Sequence, residues 1–167
     1  ALAGTLTALG LTLGISWAFF ELAEFSGYAS EESFVLPFLA ESLDVRGLLL
    51  GGTIIAALGA LDDVTVTQTA TVLELSRRNS ALSSGQLAIS ALRVGREHIA
   101  STVNTLLLAY AGSSIPLLLL FAVSKQSLAD VANSEVIAIE LVRTLCGSIG
   151  LVAALPITTY LAAFLTR

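Results

Sequence analysis

Long apolar runs alternate with short polar segments along the whole chain. Four runs stand out, at about residues 1–21, 47–76, 99–123 and 136–165. At 1.5 Å per residue each is long enough for a helix to cross a hydrocarbon core of about 30 Å. None shows the two-residue alternation of a barrel strand, and the runs are continuous, as in spanning helices. The first ends in Trp17, Phe19 and Phe20, an aromatic belt suited to the membrane interface. The pattern predicts an all-α integral membrane protein: one domain over residues 1–167, a bundle of about four transmembrane helices, with short interfacial helices between them.

The joining segments differ in character. Residues 25–46 are acidic and contain Pro37, which predicts a loop with a short surface helix. Residues 77–98 hold Arg77, Arg78, Arg93 and Arg96. There Ser83 is placed to cap a short helix with Leu87, Ala91 and Val94 on one side. Residues 124–135 are short and mixed. With Arg167, the arginine-rich side carries five basic residues, against Arg46, Lys125 and Arg143 on the other. The excess of basic residues marks the first side as cytoplasmic, with both ends of the chain facing it.

Composition agrees with a membrane environment. Hydrophobic residues make up 55% of the chain and charged residues 13%, with a mean hydropathy of +0.87. A soluble domain carries roughly twice that share of charge. The lone Cys146 excludes an internal disulfide, and the lone His98 excludes a multi-histidine metal or haem site. No cofactor and no metal are expected. A net charge of −5 argues against nucleic-acid binding, since headgroups account for the arginines. The chain lacks methionine and starts inside an apolar run, as part of a longer polypeptide would.

Candidate chemistry lies on helical stripes. Asp62 and Asp63 fall halfway along the second run, between Arg46 and Arg77. On a single long helix they lie near the bilayer midplane, where a charge is costly and usually lines a path or pairs with another buried group. The other reading ends the span near Leu61 and puts the aspartates at the start of a surface helix. Gly52, Ala56, Gly59, Asp63, Thr67, Ala70 and Glu74 share one stripe, expected to face the bundle interior through its small residues. Leu50, Ile54, Ala57, Leu61, Val64, Val72 and Leu75 lie opposite and are expected to face lipid, with Gln68 interrupting them. In the third run Glu97, Ser101, Asn104, Leu108 and Gly112 align, with Thr105 beside them, and Pro116 is a potential kink. Asn104 suits either an interhelical hydrogen bond or a ligand. In the fourth, Glu140, Arg143, Gly147, Gly150, Ala154 and Thr158 align. Glu140 and Arg143 can pair with each other or anchor at the interface, and Arg143 can instead reach an aspartate. Gly10 and Gly14 form a G-x-x-x-G, a hint of helix association.

Three stretches resemble the YibE/F-like family of bacterial membrane proteins. They are Gly59-Ala60-Leu61-Asp62-Asp63-Val64-Thr65-Val66-Thr67-Gln68, then Gly95-Arg96-Glu97-His98-Ile99-Ala100-Ser101-Thr102-Val103-Asn104-Thr105-Leu106 on to Pro116, and Asn133-Ser134-Glu135 with Glu140-Leu141-Val142-Arg143 and Gly147-Ser148-Ile149-Gly150. The resemblance implies the bacterial cytoplasmic membrane, and a C-terminal half preceded by a soluble part and further spans. Many relatives carry one aspartate, at the position of Asp63, so Asp62 departs from the pattern. The family brings no established activity or substrate, although a permease role is often supposed.

Two functions follow. One is a transporter for a small ion or solute, with Asp62, Asp63, Thr67, Asn104, Thr105 and Arg143 at the translocation site and Gly52, Gly59, Gly112, Gly147 and Gly150 packing the helices. The other is a non-transporting scaffold in the envelope. Expected partners are the lipid bilayer and either the missing spans or another protomer, the latter as a homo-oligomer. An enzyme is not expected: an aspartyl hydrolase needs two aspartates facing each other, and adjacent residues on a helix diverge by about 100°. The long second span also predicts that cysteines at Glu32 and Ser84, with Cys146 removed, react with impermeant thiol reagents from opposite sides of the membrane. Labelling from one side would refute it.

Overall fold

The computed structural model describes residues 1–28, 35–36, 38, 43–124 and 127–166. Glu32, Pro37, Lys125 and Arg167 lie outside them, and the described residues of the expected surface helix, 35–36 and 38, are helical. The described elements are helices: α1 (Leu2–Leu22), α2 (Val45–Arg78), α3 (Ser84–Ser113), α4 (Ile115–Val123), α5 (Leu128–Ala132) and α6 (Glu135–Leu165). Three are long and apolar enough to cross a membrane, and a fourth span results if α3 and α4, bent by 46°, count as one. This is the expected all-α membrane bundle.

Local chemistry explains the boundaries. The Asp44 carboxylate accepts from the Gly47 amide at 3.0 Å and starts α2. α2 then runs unbroken for 34 residues, so no helix begins at the aspartates and the surface-helix reading fails. Ser83 and Gln86 form a reciprocal capping box. Ser83 is a cap as predicted, but the helix it opens is a full 30 residues and not a short surface turn. Arg93, Arg96 and His98 therefore sit on one long helix that continues into the third apolar run, where a separate short surface helix was expected. The break between α3 and α4 falls two residues before Pro116, which has no N–H to offer the carbonyl of Gly112.

α6 packs against α1, α2 and α3, and α2 packs against both α1 and α3. One cluster joins Ala8, Leu61, Val64, Ile99, Leu151 and Ala154, and a second joins Val72, Leu87, Ala91 and Ala163. Several polar groups inside the bundle pair with one another, although the buried hydroxyls of Ser16 and Thr158 do not. Thr5 and Thr65 share a 2.6 Å hydrogen bond between α1 and α2. The Gln68 side-chain amide donates to the Ala91 carbonyl at 3.0 Å and to Thr159 Oγ1 at 2.7 Å, tying α2 to α3 and α6. At one end of the bundle, the Glu135 carboxylate accepts from the Ser26 amide at 2.7 Å and the Gly27 amide at 3.0 Å. Gly27 has φ of 83°, the left-handed region that glycine enters freely. Arg46 closes the same end on the Phe20 carbonyl at 2.8 Å and Glu21 at 3.0 Å.

Glycines mark the closest approaches. A Cβ at Gly150 would collide with Thr12, one at Gly4 with Thr158, and one at Gly95 with both Leu155 and Gln68. A Cβ at Gly147 would be in ordinary contact with Leu106 at 3.5 Å. Gly52, Gly59 and Gly112 were expected to pack helices, but a Cβ there would meet nothing within 4 Å, and the same holds for Gly10 and Gly14. Two opposite outcomes follow for thermal unfolding of the purified protein in detergent. Gly95→Ala and Gly150→Ala should each destabilise by about 1–3 kcal/mol through overpacking. Gly52→Ala and Gly59→Ala should be neutral or stabilising by up to about 1 kcal/mol, the helix-propensity gain.

Candidate functional site: a charged level on the outer face of α2 and α3

Asp62 and Asp63 lie near the middle of α2, and both are exposed. Thr67, Gly52, Ala56, Gly59, Ala70 and Glu74 share that outward side. Ala57, Leu61, Val64 and Val72, expected to face lipid, are instead buried in the core. The rotation of α2 is thus opposite to the expectation. The reason is physical. Lipid tails are as apolar as leucine, so an apolar stripe does not reveal which way it faces. Gln68 does reveal it, because a buried amide needs partners and only the bundle interior supplies them.

α3 repeats the reversal. Glu97, Ser101, Asn104, Thr105, Leu108 and Gly112 are all exposed, while Leu87, Ala88, Ala91, Gly95 and Ile99 are buried. Only the α6 stripe faces inward as expected, with Gly147, Gly150, Ala154 and Thr158 buried.

The two outward faces meet. His98 Nε2 lies 3.7 Å from Asp63 Oδ2, an ion-pair distance when the imidazole is protonated. That nitrogen is itself shielded and has no hydrogen-bond partner. Arg96 and Glu97 precede His98 by two and one residues, about 1.5–3 Å along the axis, and Arg93 lies about one turn further. Asp62, Asp63, Arg96, Glu97 and His98 therefore form one charged level. Thr67, Ser101, Asn104 and Thr105 extend it as hydroxyl and amide groups.

The opposite side of the bundle is different at this height. Leu61 packs with Ala8, Leu151 and Ala154. Residues 144–166 around Leu151 and Ala154 carry no charge over 23 positions. At about 34 Å this is the length of a full hydrocarbon crossing. The charged level on α2 and α3 thus stands beside the middle part of an uncharged stretch of α6.

Arg143 belongs elsewhere. It binds Glu140 Oε1 at 2.9 Å and reaches Thr53 Oγ1 at 3.4 Å. Thr53 is ten residues before Asp63, about 15 Å along α2. The structure therefore separates Arg143 from the two aspartates and Thr67. His98 was missed as a partner of Asp63 because it was placed at the membrane interface, at the end of the third run, although its place directly before that run was a signal. Among the described residues no three His, Cys, Asp or Glu side chains gather as a metal site would require.

An all-helical membrane bundle with a polar outer face defines the class. Within it, the chain belongs to the YibE/F-like protein family, whose model matches residues 1–167. No curated protein and no solved structure matches the chain.

The separation of Arg143 from Asp63 has a measurable consequence. Arg143→Gln leaves Glu140 without its cation and should cost about 1–3 kcal/mol, less than a fully buried pair because both groups are partly exposed. Glu140→Gln added to it should restore part of that loss, and Asp63→Asn should restore none. Asp63→Asn alone should stay within about 0.5 kcal/mol of the parent. Rescue of Arg143→Gln by Asp63→Asn in detergent melts would contradict the geometry.

Proposed function

We propose that this domain is one wall of a permease for a small ion or solute in the bacterial cytoplasmic membrane. The path runs along the outer face of α2 and α3. The observation that carries the reading is the charged level of Asp62, Asp63, Arg96, Glu97 and His98 beside the uncharged stretch of α6. Lipid against both sides would place several ionised groups in hydrocarbon, at a cost of several kcal/mol. Water or protein must therefore cover the α2–α3 side. A wet path between this domain and a further membrane segment satisfies every group at once. Threonines, Ser101 and Asn104 above and below the level then coordinate what passes. Asp63 is the central group, because it alone of the two aspartates adjoins His98. A carboxylate and an imidazole side by side can hand on a proton or balance a small cation.

The second reading is a scaffold, in which another membrane protein covers the same face without water. Exposed Gly52, Ala56 and Gly59 favour it, since small residues allow close helix approach.

Thiol accessibility separates the two. In a Cys146→Ala background, single cysteines at Gly59, Thr67 and Asn104 should react in intact membranes with a small water-soluble methanethiosulfonate. Cysteines at the exposed Leu145 and Val152 of α6 should not. In proteoliposomes, Asp63→Asn should abolish proton- or cation-coupled flux with membrane level intact, and Asp62→Asn should reduce it less. An unreactive α2–α3 face would support the scaffold and end the permease reading.

A further inference from the structure

The charges of the outer face are not all answered within one chain. Among the described residues the ion pairs are Arg46–Glu21, Arg78–Glu74, His98–Asp63 and Arg143–Glu140. Asp62, Glu97, Arg93 and Arg96 are exposed and stand outside them. Arg93 and Glu97 lie one helical turn apart on α3, so side-chain rotation lets them neutralise each other. Asp62 and Arg96 have no such recourse. No residue three or four positions from Asp62 is charged, and the only charged one at that spacing from Arg96 is Arg93, of like sign.

Helical geometry sets Asp62 and Arg96 at opposite edges of the α2–α3 face. Asp63 lies on the side of α2 next to α3, where it meets His98 at 3.7 Å. Asp62 is turned about 100° from it, away from α3. It lies toward Thr65, which bonds Thr5 of α1. Arg96 is two residues before His98, about 160° round α3 from the side that meets α2. With helix axes 8–10 Å apart, the two side chains are about 20 Å from each other across the face. α2 and α3 run antiparallel, since Asp63 meets His98 and Gln68 meets Ala91. In depth Asp62 and Arg96 therefore differ by only about 4.5 Å.

An acid at one edge and a base at the other, near one depth, is an arrangement that a twofold axis pairs with itself. Copies inserted the same way are related by an axis along the membrane normal, which turns α2 of one toward α3 of the other. In such an isologous contact residue i meets j and j meets i. Each Asp62 then meets the Arg96 of the other copy, and neither charge is left in hydrocarbon. We infer that the segment covering the α2–α3 side is a second copy of this chain, joined by two Asp62–Arg96 pairs. The Asp63–His98 pairs of both copies line the space between them. The inference rests on the reading of this side as covered within the membrane, and it names the cover.

The test uses the full chain with Cys146→Ala. Asp62→Cys and Arg96→Cys are placed in copies carrying different tags, co-expressed, and oxidised in native membranes with copper phenanthroline. Both tags should appear in one disulfide-linked band. Asp62→Cys with itself should give little product, because the axis holds those positions beyond disulfide reach. Charge reversal tests the pairing itself. Counted by single-molecule photobleaching in lipid vesicles, the parent should be dimeric. Asp62→Arg and Arg96→Asp should each weaken the dimer by about tenfold or more, since each sets like charges face to face. Asp62→Arg combined with Arg96→Asp in one chain should restore it, which recovery from a folding defect would not do. Absence of the mixed band, self-linking of Asp62→Cys stronger than the mixed product, or a double reversal that stays monomeric would each overturn the second copy. Flux is read separately. A dimer without flux would end the permease reading and keep this interface, and flux from a monomer would do the reverse.

Discussion

The side-chain amide of Gln68 fixes the arrangement of the bundle. It is buried, and its two donors go to the Ala91 carbonyl on α3 and to Thr159 on α6. One group thus joins three helices at one point. In a hydrocarbon surrounding, an amide left without partners is expensive, so α2 cannot rotate away from this contact cheaply. Asp63 lies five residues earlier, which at 100° per residue is about 140° around the helix. Holding Gln68 inside therefore holds Asp63 outside. The charged face and the polar core are two views of the same rotation.

How much of this the sequence disclosed can be traced to particular residues. The four apolar runs gave the helices, and Ser83 gave one of their starts, because length and capping are local properties. The unbroken α2 was also legible, since fifteen apolar residues are too few for an ordinary span. The facing of α2 and α3 was not. Rules about small residues identify surfaces that can pack, without saying against what. Gly52 and Gly59 satisfy those rules and touch no neighbour, whereas Gly95 and Gly150 sit against side chains. Gln68 was the one residue whose chemistry could have decided the facing, and it looked like an interruption of a lipid face. The partner of Arg143 was legible as far as Glu140, three residues away on one helix. The meeting of His98 with Asp63 was not, because it depends on the register of two helices and on where α3 begins.

The two polar regions stand in different relations to the fold. Glu140 and Arg143 neutralise each other on one helix and reach a second through Thr53, so they are tied to the bundle although partly exposed. Asp62, Asp63, Arg96 and Glu97 have no such enclosure. Their exposure on α2 and α3 means that the described helices form a stable core whose other side is chemically unfinished. A core of leucine, alanine and threonine can hold itself together, while the outer face must be completed by water or by another membrane segment.

The contact between Gly95 and Gln68 also constrains how this chain can change over evolutionary time. The amide occupies space that any Cβ at position 95 would invade. A larger residue at 95 is therefore admissible only after position 68 has shortened and Leu155 has shifted. A shorter residue at 68 in turn gives up the bonds to Ala91 and Thr159 and opens a void beside Leu155. Neither step is neutral alone, so the two positions, 27 residues apart in the chain, should drift through lineages as a linked pair. In an alignment of relatives that linkage would appear as a correlated exchange between α2 and α3. The exposed glycines of α2 have no such neighbour to answer to and would carry no partner signal inside this bundle.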